Sequence, residues 1–325
     1  MISKLSVPQN QIDDLRLSRQ KRLEELKEWA ETIQLAPLPR GQSYKAIVVS
    51  VDASIIPVET DVVDAVVIRC ADSDGVVYFQ GLVTTDAPRA YIEAFMDELF
   101  SKVPALQALL NVMQAPSWRV LGDFDVSSGA TDIDRFVMEL LEWGALVNLA
   151  ENSSRTILLK DGLLRGKVIK PRGGYLDNLR TYFEDNCLLR GNYIVGIAKE
   201  SAVLEKHKTL LQFVKGFKDN RAFHLKIPLE MLKETYGWRF YAADVIWGDL
   251  YFIRTQAHSL GRVMTVEVPD FLEPRLNEVL RILADFDLRS LPDRFRGLPD
   301  PIARAHENTK LMINFGKSLQ KEIMR

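Results

Sequence analysis

The chain has 325 residues, of which 47% are hydrophobic and 26% are charged, and its formal net charge is -2. This length suits one large domain or two intimately joined ones, and the balanced charge excludes a global electrostatic attraction to nucleic acid. The two cysteines lie in apolar contexts and no apolar run approaches the ~20 residues that cross a bilayer, so we expect a cytoplasmic protein without a disulfide framework or membrane span.

The first part of the sequence predicts one helix followed by three strands. Apolar residues recur every three or four positions from 11 to 35, so we assign residues 1–40 to an N-terminal helical segment and 41–325 to the main domain. The sequence YKAIVVSVDAS then predicts a buried strand that stops at Asp52. Two more strands, in DAVVIRCADSDGVVYFQGLV, are joined by a turn at 72–75, which indicates an antiparallel meander.

Helices and strands alternate through the rest of the chain. Helical periodicity covers residues 88–100, 132–149, 175–189, 201–214 and 271–286, and it begins again at Pro301. Strand patterns cover residues 157–159, 192–199, 222–228, 249–257 and 261–269. A meander followed by strand-helix-strand units predicts an α/β fold: an RNase H-like mixed sheet flanked by helices, with an N-terminal helix and a C-terminal helical extension.

Two aspartates follow runs of strand-forming residues. Asp52 lies in VVSVDAS and Asp161 lies in ILLKDGLL. An acid at a strand end can project into a crevice at the sheet edge, and two such acids on adjacent strands repel each other unless a cation binds between them. Oxygen ligands of this kind suit magnesium or manganese. The alternative is that each aspartate simply starts a turn.

A third acid and a histidine complete the candidate site. The helix at 132–149 offers Glu139 and Glu142 among residues that should pack inward; we favour Glu142, and Glu139 stays open as the alternative. His306 lies one and a half turns inside the helix that Pro301 starts, where it could lean toward a cleft, although a lone histidine there also suits a core or a surface.

Basic residues are concentrated around Asp161. They are Arg155, Lys160, Arg165, Lys167, Lys170 and Arg172. Such a segment would attract a phosphate backbone, while its composition also suits an ordinary solvated loop. Beside a metal-binding acid, the combination indicates phosphodiester cleavage.

Four stretches, in order and spacing, resemble the NurA nuclease family over about residues 44–310. They are VSVDAS, ILLKDGLL, YIVGIAKES and GLPDPIARAHENTKL. The family has an RNase H-like domain and works with the HerA hexameric translocase. The chain departs from the family pattern at Ala53 for glycine, Leu163 for serine and Leu298 for tyrosine; the loss of the phenol at 298 implies a change in the rate rather than in the reaction.

The resemblance implies a function and a set of site residues. The metal-binding acids fall on Asp52 and Asp161, with Glu142 as the helical acid, and the functional histidine falls on His306. The basic segment supplies Lys160, Arg165 and Lys167 as candidate phosphate contacts, and the resemblance adds Lys199, which would approach the site. The implied activity is a Mn2+-dependent nuclease, with Mg2+ as the other ion considered, that cuts single-stranded DNA and digests duplex ends from 5' to 3' in end resection during double-strand break repair. A HerA-like hexameric ATPase and a second copy of the chain, as a homodimer, are the implied partners.

Two other readings remain. A NurA-like scaffold would keep the fold and the ATPase-binding surface but not cleave DNA. A nucleic-acid-binding module of the PIWI-like branch of RNase H folds would hold a strand without metal and without cutting it. Cleavage assays with and without manganese separate these readings from the nuclease.

Overall fold

The computed structural model describes most of the chain. The described residues are 9–39, 47–59, 64–84, 88–122, 133–164, 174–198, 201–219, 221–236, 247–255, 263–289, 300–310 and 321. Over these ranges, no helix combines the length and apolar character that crossing a membrane requires.

The described strands form one mixed sheet. They are β1 (Ala36–Pro37), β2 (Ile47–Glu59), β3 (Asp64–Asp72), β4 (Val77–Thr84), β5 (Thr156–Asp161), β6 (Tyr193–Ala198), β7 (Phe223–Lys226), β8 (Gly248–Arg254) and β9 (Met264–Pro269). Their order across the sheet is β1-β7-β8-β9-β6-β5-β2-β3-β4. Successive side chains of a strand point to opposite faces, so helices can cover both sides of this sheet.

The described helices lie before, between and after these strands. They are α1 (Gln9–Glu31), α2 (Arg89–Lys102), α3 (Pro104–Met113), α4 (Ile133–Asn152), α5 (Tyr175–Arg190), α6 (Ala202–Leu211), α7 (Leu229–Tyr236), α8 (Leu276–Arg289) and α9 (Asp300–Lys310). The sequence patterns do not predict α3 and α7. Both are short, and α7 follows β7 with only Ile227 and Pro228 between them.

The centre of the sheet has the RNase H-like topology. β2, β3 and β4 form an antiparallel meander, and β5 and β6 then extend the sheet from β2 in parallel. The structure therefore confirms the predicted mixed sheet, its N-terminal helix and its C-terminal helices. The four remaining strands continue the sheet beyond β6.

Alternation along β2 and β5 separates two apolar cores. Val51 and Leu158 belong to a core that includes α4, whereas Val48 and Leu159 belong to a core that includes α8 and α9. The two faces of the central strands are thus covered by different helices. This arrangement decides which helix each polar residue at the strand ends meets.

The prediction that the first strand stops at Asp52 is wrong. β2 runs on to Glu59, because its antiparallel ladder with β3 continues over residues 51–59. Its parallel ladder with β5 does end beside Asp52, at the pair Val51 and Lys160. Asp52 therefore lies within a strand, at the point where one of its two neighbours ends.

A third apolar cluster joins α1 to the body of the protein. Ala30 and Ile33 are buried with residues of α6 and α7, and the Trp29 ring lies edge-on to the His207 ring at a centroid distance of 5.6 Å. His207 is 2% exposed, and its Nε2 lies 3.1 Å from the carbonyl oxygen of Met231. Burial lowers the pKa of His207 below its ordinary value of 6.5.

The pKa of His207 makes stability depend on pH. Because its folded-state pKa lies below the unfolded value, the unfolded chain binds a proton first as the pH falls. This contribution is complete above pH ~6.5 and is lost as the pH falls through the folded pKa. His224, whose pKa is also lowered by burial, acts in the same direction.

We therefore expect the free energy of unfolding in urea to fall from pH 7.5 to pH 5.5, and to fall less in His207→Gln. Glutamine can still donate a hydrogen bond toward Met231 but does not titrate. An identical pH slope in the two proteins would contradict this assignment.

Candidate functional site

Asp52 and His306 form the first contact of the candidate site. Asp52 Oδ2 lies 2.7 Å from His306 Nδ1, and it accepts a hydrogen bond from Thr309 Oγ1 at 3.3 Å. The Asp52 side chain is 8% exposed, while that of His306 is 35% exposed. A buried carboxylate thus orients an imidazole that solvent can reach.

Helix α9 carries His306 to β2. His306 and Thr309 are three residues apart, which places both on one face of the helix. Ser54 Oγ of β2 donates to the Thr309 carbonyl oxygen at 3.1 Å, and Asn308 Nδ2 donates to the Asp72 carbonyl oxygen at 2.8 Å. These bonds attach α9 to β2 and to the end of β3. The structure therefore places His306 beside Asp52, an aspartate within a strand.

Asp161 is the last residue of β5, next to Asp52 in the sheet. Val51 pairs with Lys160, so the residues that follow them, Asp52 and Asp161, stand at the same level of adjacent parallel strands. Alternation directs both side chains away from the face that carries Val51 and Lys160. The two aspartates thus share the face covered by α9.

The chain turns sharply after Asp161. Gly162 has φ +111°, and its N–H donates to the Ile197 carbonyl oxygen at 2.7 Å. On the neighbouring strand, a Cβ at Gly196 would lie 2.9 Å from the Gly162 carbonyl oxygen and from the Leu164 nitrogen. Only glycine at 196 lets the turn lie this close to β6, and this is a physical reason for the glycine in YIVGIAKES.

Glu142 lies on the other face of the sheet, in a buried ion pair. Its Oε2 is 2.8 Å from Lys160 Nζ, and the two side chains are 10% and 7% exposed. Burial raises the pKa of Glu142 to about 7, against the opposing effect of Lys160; the charges of Asp52 and Asp161 raise it further. Glu142 therefore feels both aspartates but is bonded to the lysine.

Glu139 lies one turn before Glu142 on α4 and is also buried. Burial lowers the pKa of Lys160, but the charges of Glu142, Glu139 and Asp161 outweigh this effect, so the net shift is upward. Both helical glutamates thus stabilise the lysine cation. The choice between Glu139 and Glu142 as a metal ligand stays a prediction.

The donor atoms suit a divalent cation, although their arrangement is incomplete. Carboxylate oxygens and an imidazole nitrogen, as in Asp52, Asp161 and His306, are donors that manganese accepts. Across the described ranges, however, no group of three or more His, Cys, Asp or Glu side chains is arranged to hold a metal ion. The carboxylate of Glu142 is directed to Lys160 instead.

The predicted phosphate contacts have different outcomes. Lys160 is 6% exposed and ion-paired, so it lies in the interior and not on the open surface that its basic segment suggested. Arg165, Lys167 and Lys199, and the departure at Leu298, lie outside the described residues.

Glu267 supports the site, although it is not among the residues that the sequence patterns indicate. It is fully buried on β9; its Oε2 accepts from the Leu164 N–H at 2.7 Å and its Oε1 accepts from the Trp247 N–H at 3.2 Å. It thereby holds the segment that follows Asp161. The available signal was a single acid inside the apolar strand sequence VMTVEVP.

Comparisons with known proteins give one family. The family model described as NurA domain matches residues 47–311, which span every described element from β2 to α9. No curated protein sequence matches the chain.

Several solved structures are similar at low identity. A NurA nuclease from Sulfolobus solfataricus is 12% identical with a TM-score of 0.48, over 99% of this chain and 98% of that one. A NurA bound to dAMP and manganese is 11% identical with a TM-score of 0.38, over 96% and 94% of the two chains. An endonuclease V from Bacillus subtilis is 15% identical with a TM-score of 0.30, over 92% and 94%.

Proposed function

This chain belongs to the NurA family, as the match over residues 47–311 shows, and on that premise we propose that it is a metal-dependent nuclease that hydrolyses phosphodiester bonds of DNA. The observation that carries the proposal is the 2.7 Å contact between Asp52 and His306. Asp161 stands beside Asp52 at the end of the neighbouring parallel strand. An acidic pair with an oriented imidazole is a common arrangement for phosphodiester hydrolysis.

Asp52, Asp161 and His306 would hold a divalent cation, with Glu142 behind them across the sheet. We propose Mn2+, with Mg2+ as the alternative, because the resemblance implies manganese and both ions accept carboxylate oxygen. When bound, such an ion offsets negative charge on the phosphate and favours ionisation of water. The carboxylates of Asp52 and Asp161 would hold the positive charge of this ion at the end of the parallel ladder between β2 and β5.

The His306 imidazole would act toward the substrate. Asp52 contacts Nδ1, so Nε2 is the nitrogen that remains for a ligand or for transfer of a proton to the leaving oxygen. The exposure of this side chain, in contrast to that of Asp52, supports contact with a strand that arrives from solvent.

The finer assignment follows from the family resemblance. We propose cleavage of single-stranded DNA and 5'-to-3' digestion of duplex ends in end resection, within the cytoplasm. Arg165, Lys167 and Lys199 would contact the phosphate backbone, since they follow the two central parallel strands in sequence. A HerA-like hexameric ATPase would supply the DNA, and the active form would be a homodimer.

The experiment is a cleavage assay with labelled single-stranded DNA. We expect the wild-type protein to cut in the presence of Mn2+ and to be inactive in EDTA. Asp161→Asn should lose at least about a hundredfold in rate, because it removes a carboxylate ligand while keeping the side-chain size. Equal rates for wild type and Asp161→Asn would rule out the proposed site.

A silent scaffold is the second candidate, and one observation favours it. The Lys160 ammonium already neutralises Glu142 at 2.8 Å, as it would in a site that no longer uses this carboxylate for metal. The scaffold predicts no cleavage by wild type, even with the ATPase present.

A further inference from the structure

Lys160 is a cation buried within a group of acids. Its Nζ lies 2.8 Å from Glu142 Oε2 and 5.6 Å from the centroid of the Trp143 ring. A buried ammonium is stable only when paired, and here the pairing carboxylate is the helical acid that the family resemblance marks as a metal ligand.

The lysine side chain reaches toward the edge where the aspartates lie. A Cβ at Gly162 would lie 3.8 Å from Lys160 Nζ, so the ammonium is level with the turn that follows Asp161. Asp161 also contributes to the charge environment of Lys160. The ammonium is thus next to the proposed metal site, although it lies on the α4 face of the sheet.

One carboxylate cannot serve the lysine and a metal ion equally well. A metal ion takes the carboxylate lone pairs that otherwise accept the ammonium hydrogen bond. Of the acids considered for the metal, Asp52 faces α9, and Glu142 is bonded to Lys160. Glu142 therefore adds no donor to Asp52, Asp161 and His306 while its ion pair with Lys160 lasts.

We propose that Lys160 is a positioning residue that competes with the divalent metal for Glu142 and keeps this carboxylate out of the metal site in the resting protein. The inference rests on the proposed function, because it takes Asp52, Asp161 and His306 as the resting ligands. Glu142 can become a ligand only when the lysine releases it.

The test is Mn2+ binding to the full-length protein by titration calorimetry, without DNA. Lys160→Met should bind Mn2+ at least about tenfold more tightly than wild type, since Glu142 is then free and the site carries one more negative charge. The double variant Lys160→Met with Glu142→Gln should return to wild-type affinity. Lys160→Arg, which keeps a cation beside Glu142, should also behave as wild type.

Thermal unfolding gives a second readout. Removing the lysine leaves Glu142 buried without its ion-pair partner, so Lys160→Met should unfold at a lower temperature than wild type in EDTA. Mn2+ should raise the unfolding temperature of Lys160→Met by more than it raises that of wild type. Unchanged or weaker Mn2+ affinity in Lys160→Met would overturn the proposal.

A further variant keeps the proposal falsifiable if Lys160→Met does not fold. Lys160→Gln, which keeps a polar side chain beside Glu142 but removes the positive charge, should also bind Mn2+ more tightly than wild type; unchanged or weaker affinity would overturn the inference. Asp52→Asn distinguishes a failure of this inference about Lys160 from a failure of the proposed function. If Asp52→Asn binds Mn2+ as wild type does, the metal site itself is misplaced, whatever Lys160 does.

Discussion

Asp52→Asn should lower the rate of manganese-dependent DNA cleavage about a thousandfold, which corresponds to about 4 kcal/mol of transition-state stabilisation. The substitution removes the charge that attracts the metal ion and the acceptor that orients His306 Nδ1 at 2.7 Å. Asparagine has nearly the same size, so the surrounding core should keep its packing. The measurement is the initial cleavage rate of single-stranded DNA at saturating Mn2+, with the fold checked by circular dichroism.

Asp72→Asn is the matched control, because Asp72 is a buried aspartate on the adjacent strand with a structural role. Its Oδ1 accepts the N–H groups of Asp74 and Val76, and its Oδ2 accepts from the Tyr78 hydroxyl. Asparagine keeps the oxygen for the two turn bonds. Asp72→Asn should therefore affect stability more than catalysis, and an Asp52→Asn protein with more than a tenth of wild-type activity would contradict the assignment of Asp52.

Glu267→Leu should lower the free energy of unfolding by about 4 kcal/mol, since two buried backbone N–H groups lose their acceptor. These are the N–H groups of Leu164 and Trp247. Because Leu164 follows Asp161 by three residues, the loss should also displace the site edge and reduce cleavage. Urea unfolding followed by intrinsic fluorescence measures the stability, and the cleavage assay measures the second effect.

Glu267→Gln provides the comparison for this prediction. Its amide oxygen still accepts one of the two N–H groups, while its NH2 group cannot accept the other. We expect its free energy of unfolding to lie between those of wild type and Glu267→Leu. If Glu267→Leu has the same free energy of unfolding as wild type, the two hydrogen bonds do not stabilise the segment that follows Asp161.

The strand pattern was sufficient to predict the centre of the fold. Alternating and continuous apolar runs mark β2 to β6 locally, and a meander followed by strand-helix-strand units leaves few topologies. Asp52 and Asp161 are adjacent because β2 and β5 are parallel neighbours in which Val51 pairs with Lys160, although β2 itself continues to Glu59. The position of His306 could be predicted only as a hypothesis, since the docking of α9 depends on contacts that no local pattern records.

The roles of the buried charges could not be predicted from local sequence. Lys160 lies in a basic segment, which predicts a phosphate contact. Because successive side chains of β5 point to opposite faces of the sheet, Lys160 instead faces α4 and forms an ion pair with Glu142. The partner of Glu267 is the backbone of a segment 103 residues away in the chain. In both cases the three-dimensional packing, which composition does not encode, decides whether a charged residue lies in water or in the core.

The contact between Asp52 and His306 joins positions 254 residues apart. At a synthesis rate of about 5–20 residues per second, the ribosome needs about 13–50 s to make the histidine after the aspartate. During that interval the emerging polypeptide contains Asp52 and, later, Asp161, but it lacks the imidazole. A translation product that terminates before α9 therefore lacks the Asp52–His306 contact, and under the proposed function it should not cleave DNA.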